Sequence, residues 1–322
     1  MNYIKDNGIM EKLPFWKFGG KSSSAEKYLF ENENGSGQML LYNVLPGLKL
    51  AVTELNGSTM NFYYPAVSGV MQVNYCLNGR MGWIMQGGRS IYLGQGDVSF
   101  HMMDCCTVSG ITLPLGHYSG IALFVDLNMA AQPFAETLNL SDVDLPAWAE
   151  KFCRGGEVTV WPGAAEIADM FALLPRVKSE YRQAYFKLKA QEILLFLAVY
   201  GVPHLKTAES CEERYMEIIK KIHAKITGSW QEHYTIEQLA REHSINASVL
   251  KKVFKMVYGK PMAQYMKEYR MRKAAALLVA GSSSVAEIAA AAGYGSQSKF
   301  AAAFKQVMQL APSEYRMRYG KK

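Results

Sequence analysis

The spacing of apolar positions changes character along the chain. Between residues 38 and 126 the apolar positions come in short runs: QMLLYNV, LKLAVTEL, VMQVNYCL, RMGWIMQ, SIYL, DVSFHM and GIALFVDL. Turn residues separate these runs, a pattern that predicts an antiparallel β domain, and strands this short and numerous favour a sandwich or a barrel. Asn78-Gly79 falls between two runs, where a two-residue hairpin needs positive φ, while Gly87-Gly88 and Gly94-Gln95-Gly96-Asp97 punctuate the next strands. After Trp161-Pro162-Gly163 the period becomes helical. Ile167, Met170, Phe171 and Leu174 fall on one helix face that ends at Pro175, and a longer helix is expected from Ser179 to Tyr200. Its second half, ILLFLAVY, is apolar all round and needs cover on more than one side, from the β domain together with either a second copy of the chain or further packing within it. The polar stretch GVPHLKTAESCEER, with Pro203, then reads as an interdomain linker.

Beyond about Glu212 the pattern is helical throughout, and one unit occurs twice: around TIEQLAREHSINASVLKKVFK and around SVAEIAAAAGYGSQSKFAAAFK. Each copy opens with a capping box, Thr235 with Gln238 and Ser284 with Glu287, in which hydroxyl and third-residue side chain each satisfy an orphan backbone donor. An apolar triplet follows, Ile236, Leu239 and Ala240 or Val285, Ile288 and Ala289. Then come a turn and a second helix that turns Leu250, Val253 and Phe254, or Phe300, Ala303 and Phe304, inward. Short helix, tight turn and second helix make a helix-turn-helix. The outward face of the second helix decides the chemistry, because a major-groove reader needs polar and cationic side chains there. In the first copy Ser248, Lys251, Lys252 and Lys255 form one such face. In the second, Gln297, Ser298 and Lys299 occupy the first turn, with Lys305 further along. Between the copies, Pro261 can open a helix that runs to a glycine stop at Gly281; about 20 residues at 1.5 Å each span about 30 Å, close to one turn of DNA.

Charge agrees with this division. The net +7 is unevenly spread: beyond His204 there are 20 Lys and Arg against 10 Asp and Glu, before it 15 against 18. A polyanionic partner is therefore expected for the C-terminal part alone. An apolar fraction of 49% and a charged fraction of 20% exclude a disordered chain. Ile193 to Tyr200 is far too short to cross a membrane, and the charged start MNYIKDNGIM lacks the apolar segment of a secretion signal; a cytoplasmic protein is expected. Five cysteines (76, 105, 106, 153 and 211) without a CxxC pair, and six scattered histidines, give neither a disulfide framework nor a metal cage.

The stretches SVLKKVFKMVYGKPMAQYMKEYRMRKAAALL, VAEIAAAAGYGSQSKFAAAFKQ and APSEYRMR, within about Tyr215 to Arg318, closely resemble the DNA-binding domain of the AraC/XylS family of bacterial transcription regulators. The resemblance implies two helix-turn-helix units joined by a helix. It places base contacts at Ser248, Lys251 and Lys252 in the first unit and at Gln297, Ser298 and Lys299 in the second, and we assign Lys255 and Lys305 to phosphates. Ser244 and Gln309 stand where glycine is common in the family, and Ala301-Ala302 where polar or basic residues are usual, which turns the second unit toward backbone contacts. CLNGRMGWIMQGGRSIYLGQGDVSF is similar to the sensor region of the same family, which implies a cupin-like β barrel followed by helices that binds a small effector, dimerises, or both. Phe62, Tyr63, Tyr64, Tyr75, Trp83 and Tyr92 either line a barrel cavity or form plain core.

The expected fold is thus α+β and multidomain. It comprises a cupin-like antiparallel β sensor and dimerisation domain with trailing helices (1–203), a linker (204–214) and an all-α DNA-binding domain with two helix-turn-helix units (215–322). Its partners are double-stranded promoter DNA, a small-molecule effector whose site the sequence does not locate, a second copy of the chain, and RNA polymerase if the protein activates; no membrane, metal, cofactor or catalytic residue is expected. Two rival readings exist. One is an architectural protein binding DNA without sequence preference. The other is a metal-dependent cupin enzyme built on His101, Asp104, Cys105, Cys106 and His117, which lack the usual two-histidine strand spacing.

Overall fold

The computed structural model describes residues 15–320 except 23, 106, 107, 142, 203 and 282, and at 62–64 and 155 the backbone alone. The start MNYIKDNGIM, Cys106, Pro203 and the side chains of Phe62, Tyr63 and Tyr64 therefore lie outside the described residues. The chain divides into two units, Met1–Glu212 and Glu213–Lys322.

In the first unit the strands are β1 (Lys17–Lys21), β2 (Glu26–Asn32), β3 (Gly35–Leu45), β4 (Leu48–Gly57), β5 (Thr59–Tyr64), β6 (Val70–Met85), β7 (Arg89–Gly94), β8 (Val98–Met102), β9 (Val108–Thr112), β10 (His117–Asp126), β11 (Thr159–Trp161), β12 (Lys206–Thr207) and β13 (Ser210–Glu212). All described pairings are antiparallel, and one main path runs β1-β2-β3-β4-β10-β6-β8-β11-β12. Strand β6 belongs to both layers: its first half pairs with β10 and β8, its second half with β7 and β9.

The bend in β6 corrects one expectation. Asn78-Gly79 does not reverse the chain; it directly follows a bulge at Leu77 within β6, where Ser119 pairs with Asn78 but Gly120 with Cys76. The positive φ foreseen for a hairpin is present, +80° at Gly79, and serves to kink a continuous strand instead. A Cβ there would meet the His117 carbonyl oxygen at 2.2 Å, so only glycine fits. The β6–β7 reversal falls at Gly87-Gly88, with the Gly88 N–H donating to the Met85 carbonyl at 3.1 Å.

One sheet face is covered by helices α1 (Leu127–Leu138), α2 (Leu145–Phe152), α3 (Ala165–Ala172) and α4 (Arg182–Tyr200). Their Phe134, Phe152, Phe171 and Phe186 pack with Val73, Tyr75 and Phe100 of the strands. Residues of both layers, among them Leu41, Ala51, Leu55, Met81, Leu93 and Ile111, form a second core between the sheets. Pro175 lies in a 3-10 turn just past α3, and Ser179–Tyr181 form another before α4. Helix α4 buries Ile193, Leu194 and Leu197, whereas Leu188 and Val199 are each 66% exposed. Within the stretch read as a linker, β12 pairs with β11 and β13 with β7, so residues 206–207 and 210–212 belong to the sheets.

The second unit is helical: α5 (Glu213–Gly228), α6 (Ile236–Glu242), α7 (Ala247–Tyr258), α8 (Met262–Ala280), α9 (Val285–Ala291), α10 (Gln297–Met308) and α11 (Pro312–Tyr319). No helix among the described residues is long and apolar enough to cross a membrane.

Candidate nucleic-acid interface

Helices α6 and α7 form one helix-turn-helix, α9 and α10 a second, and the same local chemistry shapes both. At α6 the Thr235 hydroxyl accepts from the Gln238 N–H at 3.1 Å while the Gln238 amide oxygen accepts from the Thr235 N–H at 3.2 Å. At α9 the Ser284 hydroxyl accepts from the Glu287 N–H at 3.2 Å, and the Glu287 carboxylate takes the Ser284 N–H at 2.6 Å. That backbone bond holds the Glu287 carboxyl below the usual carboxylate range. Each first helix then ends in matching bonds, Ile245 N–H to the Ala240 carbonyl and Tyr294 N–H to the Ala289 carbonyl, both 3.0 Å. The left-handed residue in each turn is Ser244 (φ 51°) or Gly293 (φ 78°).

Beneath both turns most of the predicted apolar residues are buried, while Ile236, Val285 and Ala303 are only half-buried. Leu239, Ala240, Leu250, Val253 and Phe254 are buried in the first unit; Ile288, Ala289, Phe300 and Phe304 in the second. Partnering α6 and α9 in this way fixes which faces of α7 and α10 look outward. Ser248, Lys251, Lys252 and Lys255 are all exposed on α7, and Gln297, Ser298, Lys299 and Lys305 on α10.

The two outward faces differ in detail. At the start of α7, Asn246 caps the helix through its side-chain oxygen, accepting from the Ser248 N–H at 2.8 Å and from the Ser248 hydroxyl at 2.5 Å. Lys251 lies 3.9 Å from Glu237 of α6, both exposed, so water screens the pair and the lysine can exchange partners cheaply. In α10, Ser296 caps by accepting from the Lys299 N–H at 3.3 Å, and Ala302 is exposed where α7 carries Lys252.

Helix α8 joins the two units. Its 19 residues extend about 28 Å at 1.5 Å each. Pro261 is the N-cap, one residue outside the helix, and Gly281 (φ 80°) the C-cap. The pattern of apolar positions missed Arg270 of α8. Its guanidinium is buried and donates to the Trp230 carbonyl at 2.7 Å and to the Glu232 carbonyl at 2.6 Å, tying the α5–α6 loop to α8. His233 of the same loop reaches the Gly293 carbonyl at 3.2 Å, and Arg316 donates to the Ser283 carbonyl. A cation amid apolar helix positions with loop carbonyls opposite has no short-range signature; only the tertiary fold reveals it.

In the β unit the described candidate ligands of the enzyme reading, His101, Asp104, Cys105 and His117, form no group that could hold a metal ion. His101 is a half-buried residue whose shielded Nδ1 has no hydrogen-bond partner; burial pushes its pKa down to about 4, and its ring meets Trp83 edge-on at 6.0 Å. His117 instead places Nδ1 3.1 Å from the Leu115 carbonyl. Among the described residues no three His, Cys, Asp or Glu side chains come together as metal ligands. The aromatic residues separate as well. Trp83 lines an interior cavity of about 60 Å³ with Trp16, Gln72 and Asn74. Tyr75 stacks on Phe171 at 4.5 Å on the helix-covered face, and Tyr92 is buried beside Arg80.

The family pattern described as a helix-turn-helix domain matches residues 239–318. The HTH-type transcriptional activator RhaR of Mannheimia succiniciproducens is 29% identical over 119 residues, 36% of this chain and 43% of that protein. The virulence regulon transcriptional activator VirF of Yersinia enterocolitica is 28% identical over 153 residues, 47% of this chain and 55% of that protein. Among solved structures, the C-terminal domain of AraT, a response regulator from Geobacillus stearothermophilus, is 27% identical with a TM-score of 0.32, covering 33% of this chain and 88% of that one. The chain spans about half the length of these two curated relatives.

Proposed function

We propose that the C-terminal unit, whose residues 239–318 match a helix-turn-helix domain family, is of the AraC type, and that the chain is a sequence-specific transcription regulator of promoter DNA. The observation that carries this reading is the repeated unit itself: two separately capped helix pairs, each turning a polar second helix outward, joined by a helix about as long as one DNA turn. Ser248, Lys251 and Lys252 read bases from α7, Gln297, Ser298 and Lys299 from the first turn of α10, and Lys255 and Lys305 hold phosphates. A lysine donates to guanine O6 and N7, and a glutamine pairs with adenine. The β unit binds a small effector and pairs two chains through the exposed apolar side of α4, where Leu188 and Val199 are unburied together with Tyr181 of the turn before it. The assembly works in the cytoplasm, engages RNA polymerase where it activates, and performs no covalent chemistry.

Fluorescence-anisotropy titration of the full chain at physiological salt tests this reading. One arm uses duplexes recovered from a random pool by the protein, the other scrambled duplexes. A regulator binds its selected sites about 10³-fold tighter or better. Equal affinity for both, with a steep salt dependence, would leave an architectural binder in its place.

A further inference from the structure

The connecting segment that leads out of the β unit is held by two short strand pairings, the buried Cys211 and the packing of Ala208 on the core between the sheets. Residues 206–207 pair with β11, the Ala208 N–H donates to the Val158 carbonyl at 2.9 Å, and residues 210–212 cross over to β7. Where the segment crosses, a cleft of about 210 Å³ opens, walled on one side by Thr207, Ala208 and Ser210 and on the other by the β6–β7 hairpin and the stretch around Val158. Its size is informative. An engineered apolar cavity of roughly 150 Å³ holds benzene, so this cleft accommodates a ligand of about ten heavy atoms, whereas the cavity between the sheets, at about 60 Å³, does not.

The lining specifies the ligand's chemistry. Met85, Ile91 and Val158 present apolar surface, while Arg89 and Glu157 bring one charge of each sign to the same cleft. Both are exposed, and neither side chain makes an ion pair or hydrogen bond among the described residues. Glu212 stands opposite Arg89 in the β7–β13 pair. Opposite charges that share a cleft with apolar surface without pairing with each other complement a small molecule that carries both charges at one end and an apolar side chain at the other.

We propose that this cleft binds an apolar α-amino acid or a zwitterion of that class, carboxylate on Arg89 and ammonium on Glu157, and that the bound ligand fastens residues 206–212 to the β unit. Control of DNA binding by this ligand rests on the regulator reading above; the site itself does not. Because the segment leads directly into the unit that carries α6 to α11, its anchoring is where occupancy of the β unit can alter the freedom of the DNA-binding unit.

The test is calorimetric titration of the full chain with L-leucine, L-methionine and L-phenylalanine. The matching compounds that lack either the amine or the carboxylate serve as controls. One saturable site is expected for at least one zwitterion, with each single-charge analogue about tenfold weaker or worse. Arg89→Gln and Glu157→Gln are each expected to weaken binding about tenfold without moving the thermal unfolding midpoint, since both side chains are exposed, and amide exchange at residues 206–212 should slow when ligand is present. No saturable heat from any of the three up to about 10 mM, or binding indifferent to both substitutions, overturns the proposal. These readouts involve no DNA. Ligand binding with slowed exchange but unchanged DNA affinity would support the site and remove its regulatory consequence, while a failure of sequence-specific DNA binding leaves the calorimetry interpretable.

Discussion

The two helix-turn-helix units are built alike and equipped differently. Phe254 and Phe304, Tyr265 and Tyr315, and Tyr269 and Tyr319 occupy matching places, and both first helices carry complete capping boxes. Yet the outer face of α7 carries Lys251 and Lys252 where α10 has Ala301 and Ala302. The scaffold answers to packing and capping, which any sequence of the right period satisfies, while the reading face is constrained only by its target. The contrast supports the proposal that direct base readout rests chiefly with the first unit, the second contributing through its first turn and Lys305.

The scaffold half of this comparison meets the largest perturbation. Phe254→Ala and Phe304→Ala each empty a fully buried site and are expected to cost about 3–5 kcal/mol, read by chemical denaturation. A large loss in one unit only would show that the two cores are not equivalent. On the reading face, Lys252→Ala is expected to lose about 1–3 kcal/mol of discrimination at one base position, whereas Lys305→Ala should weaken all duplexes alike and lower the salt slope by about 1. Equal, sequence-independent effects from both would erase the assigned difference.

Smaller effects separate the turns. Ser244 and Gln309 hold left-handed backbone, φ 51° and 61°, where the matching positions of the other unit are Gly293 and Gly259. Ser244→Gly and Gln309→Gly should therefore each gain up to about 1 kcal/mol through relieved strain, less what glycine's added freedom in the unfolded chain takes back. The reverse change is more costly, since a Cβ at Gly293 would lie 2.8 Å from the Gln231 carbonyl oxygen and 2.9 Å from His233 Nε2. Thermal unfolding of the three variants checks the order.

The slightest contrast is one of pH. His223 of α5 stacks on Tyr258 at 4.5 Å and lies 2.7 Å from the Tyr265 hydroxyl, while no histidine accompanies Phe304, Tyr315 and Tyr319. Burial lowers the His223 pKa, so folding favours its neutral form. That stabilisation is fully present above the unfolded value of about 6.5 and is lost as pH falls through and below it. Because the ring is only half-buried, the effect is modest. Amide exchange in α7 should accelerate on acidification more than in α10, and His223→Gln should abolish the difference.

How legible each region was in the sequence follows from the range of the interactions that shape it. Capping boxes, apolar triplets and the helix-joining segment act within a few residues, so Thr235, Ser284, the buried phenylalanines and all eight outward candidates were found where expected. Strand pairing is set by distant partners. Asn78-Gly79 carries a hairpin signal, but its meaning depends on β10, forty residues away, which pairs with it beside a bulge in one continuous strand. Strands β1, β2, β5 and β9 gave no clear period, and residues 206–212 look like a linker because two- and three-residue strands are invisible without their neighbours. Arg270 escaped for the same reason, its role residing in the Trp230 and Glu232 carbonyls some forty residues earlier.

The most direct test of the central claim is the sequence preference recovered when the full chain selects duplexes from a random DNA pool, read position by position. We expect a two-part motif whose halves lie about one helical turn apart, roughly 10 base pairs, with strong base preference in the half bound by α7 and weaker preference in the half bound by α10. Lys252→Ala should flatten one position of the strong half alone. A single short motif, two halves of equal strength, or no motif at all would contradict the account.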